Sequence, residues 1–200
     1  FAQRAAKQAK VLVDTGHHLP GCNIEHLVAF LLDENALGGF HFNDRKYADD
    51  DLTLGSIDPY AVFRIFNVIA QHEFDTGKAP GSASKQIAYM VDQSHNLKGK
   101  IEAALQTVDM AQKLFIKSHL VDRKKLAAAQ KKGDIVAAEA CLVDAFETDV
   151  RDILAEWRMS HDLPIDPIAE FRAGGYEKQR AKDRTAARKA RGEVQSSSYA

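Results

Sequence analysis

The chain is long enough to form a sizeable core, and its overall charge points to no particular partner. Its 200 residues are 45% hydrophobic and carry a formal net charge of −1, which excludes a general electrostatic attraction to nucleic acid or to a membrane surface. Cys22 and Cys141 are far apart and form no CxxC pair, so neither a zinc ribbon nor a disulfide framework is expected. This cysteine usage and the lack of an apolar run of membrane-spanning length predict a cytoplasmic protein.

Short apolar runs alternate with helical patterns along the first half of the chain. Strands are predicted at Val11–Val13, Phe40–Asn43 and Ile87–Asp92. Helices are predicted from Ile24 to about Asp33, with Asn23 as the N-cap, and from Pro59 onward, with Asp58 as the N-cap. Because strands separated by helices pair in parallel through crossover connections, we expect an α/β fold.

The second half of the chain is predicted to be helical. Helical patterns run from about Ile101 to Lys131 and from about Ile135 to Met159, with a break near Gly133. The tail from Tyr176 to Gly192 contains seven Lys or Arg residues without interleaved aromatics, which favours a solvated surface helix over a nucleic-acid-binding segment. We therefore predict two regions, βα units over residues 1–132 and a helical extension over residues 133–200 with a frayed end.

Metal-ligand side chains lie at or just after each predicted strand. All of them offer nitrogen or oxygen donors, and they are Asp14, His17, His41, Asp49, Asp51 and Asp92. Because the carboxyl ends of the strands form the active-site face of a (β/α) barrel, we expect these side chains to lie together there. Donors of this kind suit Mn²⁺, Mg²⁺, Co²⁺ or Zn²⁺, and six of them exceed what one tetrahedral site uses. The pattern therefore predicts two divalent ions close together.

Each candidate also has an ordinary structural interpretation. A strand-end aspartate can cap the next helix, the run Asp49–Asp51 can be a solvated turn, and His41 between two phenylalanines can be a core residue. Agreement among three separate strand ends favours the metal site. In an extended loop Asp49 and Asp51 point to one side and Asp50 to the other. Ordinary loop hydrogen bonding is favoured over a ligand-orienting role for three neighbouring polar residues, Asn43, Gln93 and His95.

Three long motif strings carry a family resemblance. They are VDTGHHLPG followed by NIEH from Val11, GGFHFNDRKYADDDL from Gly38, and MVDQSHN followed by KIEA from Met90. Together they resemble the C-terminal part of the bacterial L-rhamnose isomerase family, in its rhamnose-catabolism branch, from about Val11 to the FRAGGY segment at Phe171. The resemblance implies a (β/α)₈ TIM barrel with a helical C-terminal extension, of which this chain holds about three βα units. It also implies a homotetramer that uses two divalent ions, most often Mn²⁺.

The resemblance also implies roles for the candidate ligands. The ion that anchors the substrate would be held by Asp14, His41 and Asp92. The catalytic ion would be held by His17, Asp49 and Asp51. A glutamate that bridges both ions and a nearby lysine would come from an earlier strand, upstream of Phe1. Because such a barrel needs roughly 250 residues, we expect the chain to be part of a longer polypeptide and do not expect activity from these 200 residues alone.

The implied reaction interconverts an aldose and a ketose, L-rhamnose and L-rhamnulose. The catalytic residues would be His17, Asp49 and Asp51, with Asp51 orienting the water that moves the hydroxyl proton. Both a hydride shift and an enediol route remain open for the hydrogen transfer. The alternatives are another metal-dependent barrel enzyme, such as a different sugar isomerase or an epimerase, and an inactive fragment that only binds metal or assembles with a partner.

Overall fold

The structure is a computed structural model, and it describes residues 2–6, 8–47, 50–93 and 98–193, with only the backbone for residues 2 and 3. The strands in these ranges are β1 (Val11–Asp14), β2 (Leu37–Phe42) and β3 (Ala88–Val91). The helices are α1 (Ala2–Ala5), α2 (Ile24–Asp33), α3 (Pro59–Asp75), α4 (Lys100–His119), α5 (Arg123–Lys132), α6 (Ile135–Glu147), α7 (Arg151–Ser160), α8 (Pro167–Ala173) and α9 (Tyr176–Ala190), with a 3-10 turn at Ser84–Gln86. The prediction of an α/β fold is confirmed.

The three strands form a parallel sheet in the order β1-β2-β3. Asp14 lies beside His41, and His41 lies beside Met90 on β3. Asp92 follows two residues after Met90, and its N–H donates to Phe42 O at 3.2 Å, which extends the pairing past the end of β3. Because side chains alternate along a strand, this register places Asp14, His41 and Asp92 on the same face at one edge of the sheet.

The opposite face of the sheet holds the hydrophobic core. Phe40 is fully buried there, and Phe42 meets Phe66 of α3 edge to face at 5.7 Å between ring centres. Phe63 of α3 is also fully buried in this cluster. Deleting a buried phenylalanine side chain typically costs about 3–5 kcal/mol, so this packing holds the strands in register against the helices.

Strand β2 begins three residues earlier than predicted, at Leu37 rather than Phe40. The two glycines in this segment therefore lie inside the strand and are not a turn before it. A Cβ on Gly39 would stand 2.7 Å from the carbonyl oxygen of Ala88 on β3, so the two strands approach too closely for any side chain there. Gly39 thus permits the close contact between the two strands.

The N-caps predicted from the sequence are confirmed, but the long helices are not. Asn23 and Asp58 accept hydrogen bonds from His26 N at 2.8 Å and Ala61 N at 2.9 Å. The single helix predicted from Ile101 to Lys131 is wrong, because the carboxylate of Asp122 accepts from Lys125 N at 2.9 Å and starts a new helix, α5.

The helix predicted from Ile135 to Met159 is also divided. Thr148 adopts an extended backbone, and its hydroxyl donates to Asp144 O at 2.7 Å, which ends α6. Helix α7 then begins at Arg151. The apolar pattern continues across this break, so periodicity alone does not reveal it.

A buried carboxylate holds the segment that leads into β3. Glu73 is 1% exposed, and it accepts hydrogen bonds from Gly81 N and Ala83 N at 2.7 Å each and from Ser84 N at 3.3 Å. The imidazole of His119 on α4 lies 3.3 Å from the same carboxylate. Glu73 therefore connects α3, α4 and the approach to β3, and so helps to place the end of the strand that carries Asp92.

Helices α6, α7 and α8 pack on α4, and α6 also packs on α5. Arg158 of α7 is buried, and its guanidinium donates to Asp109 Oδ1 at 2.9 Å, Gln112 Oε1 at 2.6 Å and the carbonyl of Ile165 at 2.8 Å. Helix α9 exposes all of its side chains to solvent. Across the described ranges, every helix is too short or too polar to cross a lipid bilayer.

Candidate metal centre

Three of the predicted ligands converge at the carboxyl ends of the strands. One ligand atom each from Asp14, His41 and Asp92 lies within 4.8 Å of the other two. His41 Nδ1 is 3.4 Å from Asp14 Oδ2 and 3.1 Å from Asp92 Oδ2. Ligands about 2.1 Å from a divalent ion lie about 3 Å from each other when adjacent in an octahedron. Two carboxylates and an imidazole at these separations fit such an ion.

The two carboxylate oxygens of Asp14 have different surroundings. Oδ1 accepts hydrogen bonds from Gly16 N at 3.1 Å, from Asn43 Nδ2 at 3.1 Å and from His17 Nδ1 at 2.7 Å. Oδ2 faces His41. Burial acts to raise the pKa of the Asp14 carboxyl, but the hydrogen bonds from His17, Asn43 and Gly16 outweigh it and hold the pKa below its usual value. Asp14 is therefore ionised over the whole physiological range, as a metal ligand must be.

His17 connects this cluster to a second group of candidates. Its Nδ1 contacts Asp14 Oδ1, and its Nε2 lies 3.5 Å from Asp51 Oδ1. Because a carboxylate only accepts hydrogen bonds, the Nδ1 that contacts Asp14 is a donor, and Nε2 is the ring nitrogen that faces Asp51. A histidine whose other ring nitrogen donates to a carboxylate is the usual arrangement of a metal-bound imidazole.

The aspartates of the acidic loop after β2 make different contacts. The carboxylate of Asp50 accepts from Lys46 N at 3.2 Å and from Tyr47 N at 3.3 Å. Slight desolvation raises the pKa of Asp50, but these two hydrogen bonds prevail and lower it. Asp51 turns toward His17 with a backbone φ of 37°, a left-handed conformation that costs roughly 1–3 kcal/mol in a residue other than glycine. Asp49 lies outside the described residues.

The structure thus brings together five of the six predicted ligands, in a cluster of three and a neighbouring pair. Of the residues considered for an orienting role, His95 lies outside the described residues, and Gln93 accepts a hydrogen bond from Thr107 on α4 at 2.7 Å. Asn43 does contact a candidate ligand, although ordinary loop hydrogen bonding was the favoured interpretation. The signal that identifies it was available, because a period of two places it on the same face as His41.

An α/β fold with a carboxylate–imidazole cluster at the strand ends defines a candidate site for a divalent metal ion. No family model matches the chain. Over 186 residues, 93% of the chain, it is 44% identical to a protein of Rhizobium meliloti named probable sugar isomerase. It is 42% identical over the same length to a probable sugar isomerase of Mesorhizobium japonicum. The chain spans 42% of the length of each. This similarity supports the resemblance drawn from the motifs at the level of sugar isomerases.

Proposed function

We propose that this chain carries the metal-binding strand ends of an aldose–ketose isomerase that converts L-rhamnose to L-rhamnulose. The enzyme would use two divalent ions, with Mn²⁺ as the first choice of metal. The observation that carries the proposal is the convergence of Asp14, His41 and Asp92 at one edge of the parallel sheet. The names of the two similar proteins support the reaction class. In this proposal the three strands belong to a (β/α)₈ TIM barrel in a cytoplasmic homotetramer.

The strand-borne cluster is proposed to hold the ion that anchors the substrate. Its ligands Asp14, His41 and Asp92 stand on neighbouring strands, so their separation is set by the sheet rather than by loop conformation. The side chains of these residues are between 20% and 48% exposed, which leaves them accessible to a sugar that arrives from solvent. A divalent ion bound at these ligands would hold the substrate hydroxyls, and the polarisation of the oxygens on C1 and C2 would fall to the second ion.

The second ion position is proposed to use His17 and Asp51 with Asp49. His17 is held by Asp14, so its ring orientation depends on the first cluster. Asp51 is half-buried beside it. The distance of 3.5 Å between His17 Nε2 and Asp51 Oδ1 is short enough for both atoms to bind the same ion. The strained backbone of Asp51 supports a functional role, because strain of this kind persists where the surroundings impose a side-chain direction.

The chain's own residues then have defined tasks in the reaction. Asp51 is the group we propose to orient the water that moves the hydroxyl proton, because its carboxylate lies beside His17, with Oδ1 3.5 Å from His17 Nε2. Asp14 and His17 hold each other in one orientation, so neither must reorganise when substrate enters. The buried aromatic face of the sheet keeps the strand ends in register beneath the reacting sugar.

Calorimetric titration of Mn²⁺ into protein that carries this sequence within its longer context tests the metal site. We expect binding that is lost in the Asp14→Ala variant and retained in the Asp33→Ala variant, which removes an exposed carboxylate at the end of α2. Equal binding by all three proteins would place the ion elsewhere and contradict the proposal.

The reaction is tested with protein that carries this sequence within its longer context, supplied with Mn²⁺ and a panel of aldoses. Formation of L-rhamnulose from L-rhamnose supports the isomerase proposal. Conversion of a different aldose alone, or epimerisation without a ketose product, would identify another metal-dependent sugar enzyme. Metal binding without turnover of any aldose would favour a binding or assembly role.

A further inference from the structure

We infer that Asn43 is a positioning residue that determines which carboxylate oxygen of Asp14 faces the metal cluster. The inference rests on the proposed metal site. Asn43 is fully buried at the end of β2, two residues after His41 and on the same face of the strand. Its carboxamide contacts Oδ1 of the Asp14 carboxylate, whereas His41 lies beside the other oxygen, Oδ2.

The orientation of the Asn43 carboxamide follows from its contact with Asp14. Nδ2 lies 3.1 Å from Asp14 Oδ1, and an ionised carboxylate can only accept, so the amide nitrogen must face it. The amide oxygen of Asn43 is then turned the other way, where it is buried without a hydrogen-bond partner among the described residues. Burial of an unsatisfied carbonyl costs about 1–3 kcal/mol. Since no hydrogen bond to the amide oxygen offsets this cost, the orientation of the amide is explained by the hydrogen bond that Nδ2 donates to Asp14.

Gly16 provides the space that the turned amide oxygen needs. A Cβ on Gly16 would stand 2.0 Å from Asn43 Oδ1, far inside contact distance. The backbone of Gly16 does not have a positive φ, so close approach and not conformation explains a glycine here. Its N–H also donates to Asp14 Oδ1 at 3.1 Å. Gly16 and Asn43 therefore act on the same carboxylate oxygen.

Thr15 locks the backbone of Asn43 to the end of β1. The threonine hydroxyl donates to Asn43 O at 2.6 Å and accepts from Asn43 N at 3.0 Å. The N–H of Thr15 donates to His41 O at 3.0 Å, which continues the pairing of β1 with β2. With the backbone held on both sides, the Asn43 side chain cannot swing away from Asp14. Oδ1 of Asp14 is thus engaged by donors, and Oδ2 is presented to His41.

The test compares Mn²⁺ affinity with thermal stability in three variants. Asn43→Leu removes the donor at nearly constant volume, and Gly16→Ala displaces the amide without altering it. Val28→Ala, which trims a fully buried side chain of α2, is the control for general destabilisation. We expect about 10- to 100-fold weaker Mn²⁺ binding in the first two variants, as for loss of other groups that orient metal ligands. The control should melt at a lower temperature but bind Mn²⁺ as the unaltered chain does.

Two spectroscopic readouts separate positioning from a structural role. The electron paramagnetic resonance line shape of bound Mn²⁺ should broaden in Asn43→Leu and Gly16→Ala but not in Val28→Ala. In the unaltered chain, the Asn43 carboxamide protons should exchange slowly with solvent and shift on titration with Mg²⁺. Because this second measurement uses the unaltered chain, it tests whether the Asn43 amide responds to the metal even where a variant does not fold.

The outcomes distinguish this inference from the proposed function. Unaltered protein that carries this sequence within its longer context and binds no Mn²⁺ overturns the metal site and the inference with it. An unaltered chain that binds Mn²⁺ while Asn43→Leu and Gly16→Ala bind it equally well overturns only the inference. Val28→Ala losing as much affinity as Asn43→Leu would reduce Asn43 to a structural residue.

Discussion

The strand-borne cluster and the loop-borne pair are two neighbouring groups of ligands built in different ways. Asp14, His41 and Asp92 stand on or next to paired strands whose other face is packed core. His17 and Asp51 stand on loops, and their mutual contact of 3.5 Å is longer than the 3.1 Å between His41 and Asp92. The cluster is therefore positioned by the sheet, whereas the pair is positioned by hydrogen bonds within and between loops.

This difference bears on how the two positions would divide the proposed metal-dependent reaction. A ligand set on strands has little freedom, so it suits an ion that must hold the substrate in one place. Ligands on loops can adjust their separation, so they suit an ion whose ligands change during the reaction. The link between them is Asp14, whose Oδ1 orients His17 while Oδ2 faces His41. A substitution in the strand-borne cluster should therefore weaken metal binding at the loop-borne pair more than a substitution in the pair weakens binding at the cluster.

The largest expected effect is that of His41→Ala. It removes the only nitrogen of the cluster and the contact between both carboxylates, so Mn²⁺ affinity should fall by more than about 100-fold, beyond the loss seen for groups that merely orient ligands. Calorimetric titration measures it, with His72→Ala on α3 as the control. Retention of the tight binding event in His41→Ala would mean that the loop-borne pair is the primary site.

The next largest effect is on stability and involves Glu73→Gln. Gly81 N and Ala83 N donate to different carboxylate oxygens of Glu73, and glutamine replaces one of these oxygens with an amide nitrogen. One of the two N–H groups then loses its acceptor, so we expect the free energy of unfolding to fall by about 2 kcal/mol. Urea denaturation measures the change, and the exposed Glu147→Gln variant is the control. Metal binding should weaken only to the extent that the end of β3 shifts and displaces Asp92. A variant as stable as the parent would show that Glu73 does not hold the approach to β3.

A smaller effect is expected from Asp51→Asn. It should weaken the second Mn²⁺ binding event by about tenfold and leave the first unchanged, because the loop-borne pair loses a charge that the cluster does not use. The adjacent Asp50→Asn variant is a matched control, since its side chain accepts from the backbone of its own loop and keeps an acceptor oxygen. Equal losses from Asp50→Asn and Asp51→Asn would remove the distinction between the two aspartates.

The smallest effect concerns Tyr89, on the core face of β3, away from both groups of ligands. Burial raises the pKa of its hydroxyl to about 12 despite a hydrogen bond from Ser84, whereas the ordinary value is 10.0. Because the folded pKa is the higher one, its contribution to stability is fully present below pH 10 and is lost as the pH rises from 10 to 12.

Titration of tyrosinate absorbance, with Tyr89→Phe as the comparison, measures this shift. Stability in that pH window should decline less in the variant than in the parent chain. A parent chain whose tyrosines all titrate near pH 10 would show that the partial burial of Tyr89, which is 38% exposed, does not raise the pKa of its hydroxyl.

Much of the fold follows from local sequence signals. Asn23 and Asp58 were identified as N-caps because their side chains serve backbone groups within the same helix turn, which requires no tertiary information. The alternation that places His41 and Asn43 on one face is likewise local. The break before α5 and the end of α6 were missed, because the apolar pattern continues past Asp122 and Thr148 while their polar side chains end or start a helix.

The sequence by itself determined the chemistry of this protein's candidate site, since the types of donor and their places after the strands can be read from the order of residues. Only the tertiary structure decided how they meet. The pairing of Asp14 with His41 and the selection of one Asp14 oxygen depend on contacts between parts that are distant along the chain. The same holds for the hydrogen bonds by which Glu73 holds a segment eight to eleven residues away. Such contacts are set by core packing and strand register, which favour one arrangement only when the whole sheet and its helices assemble.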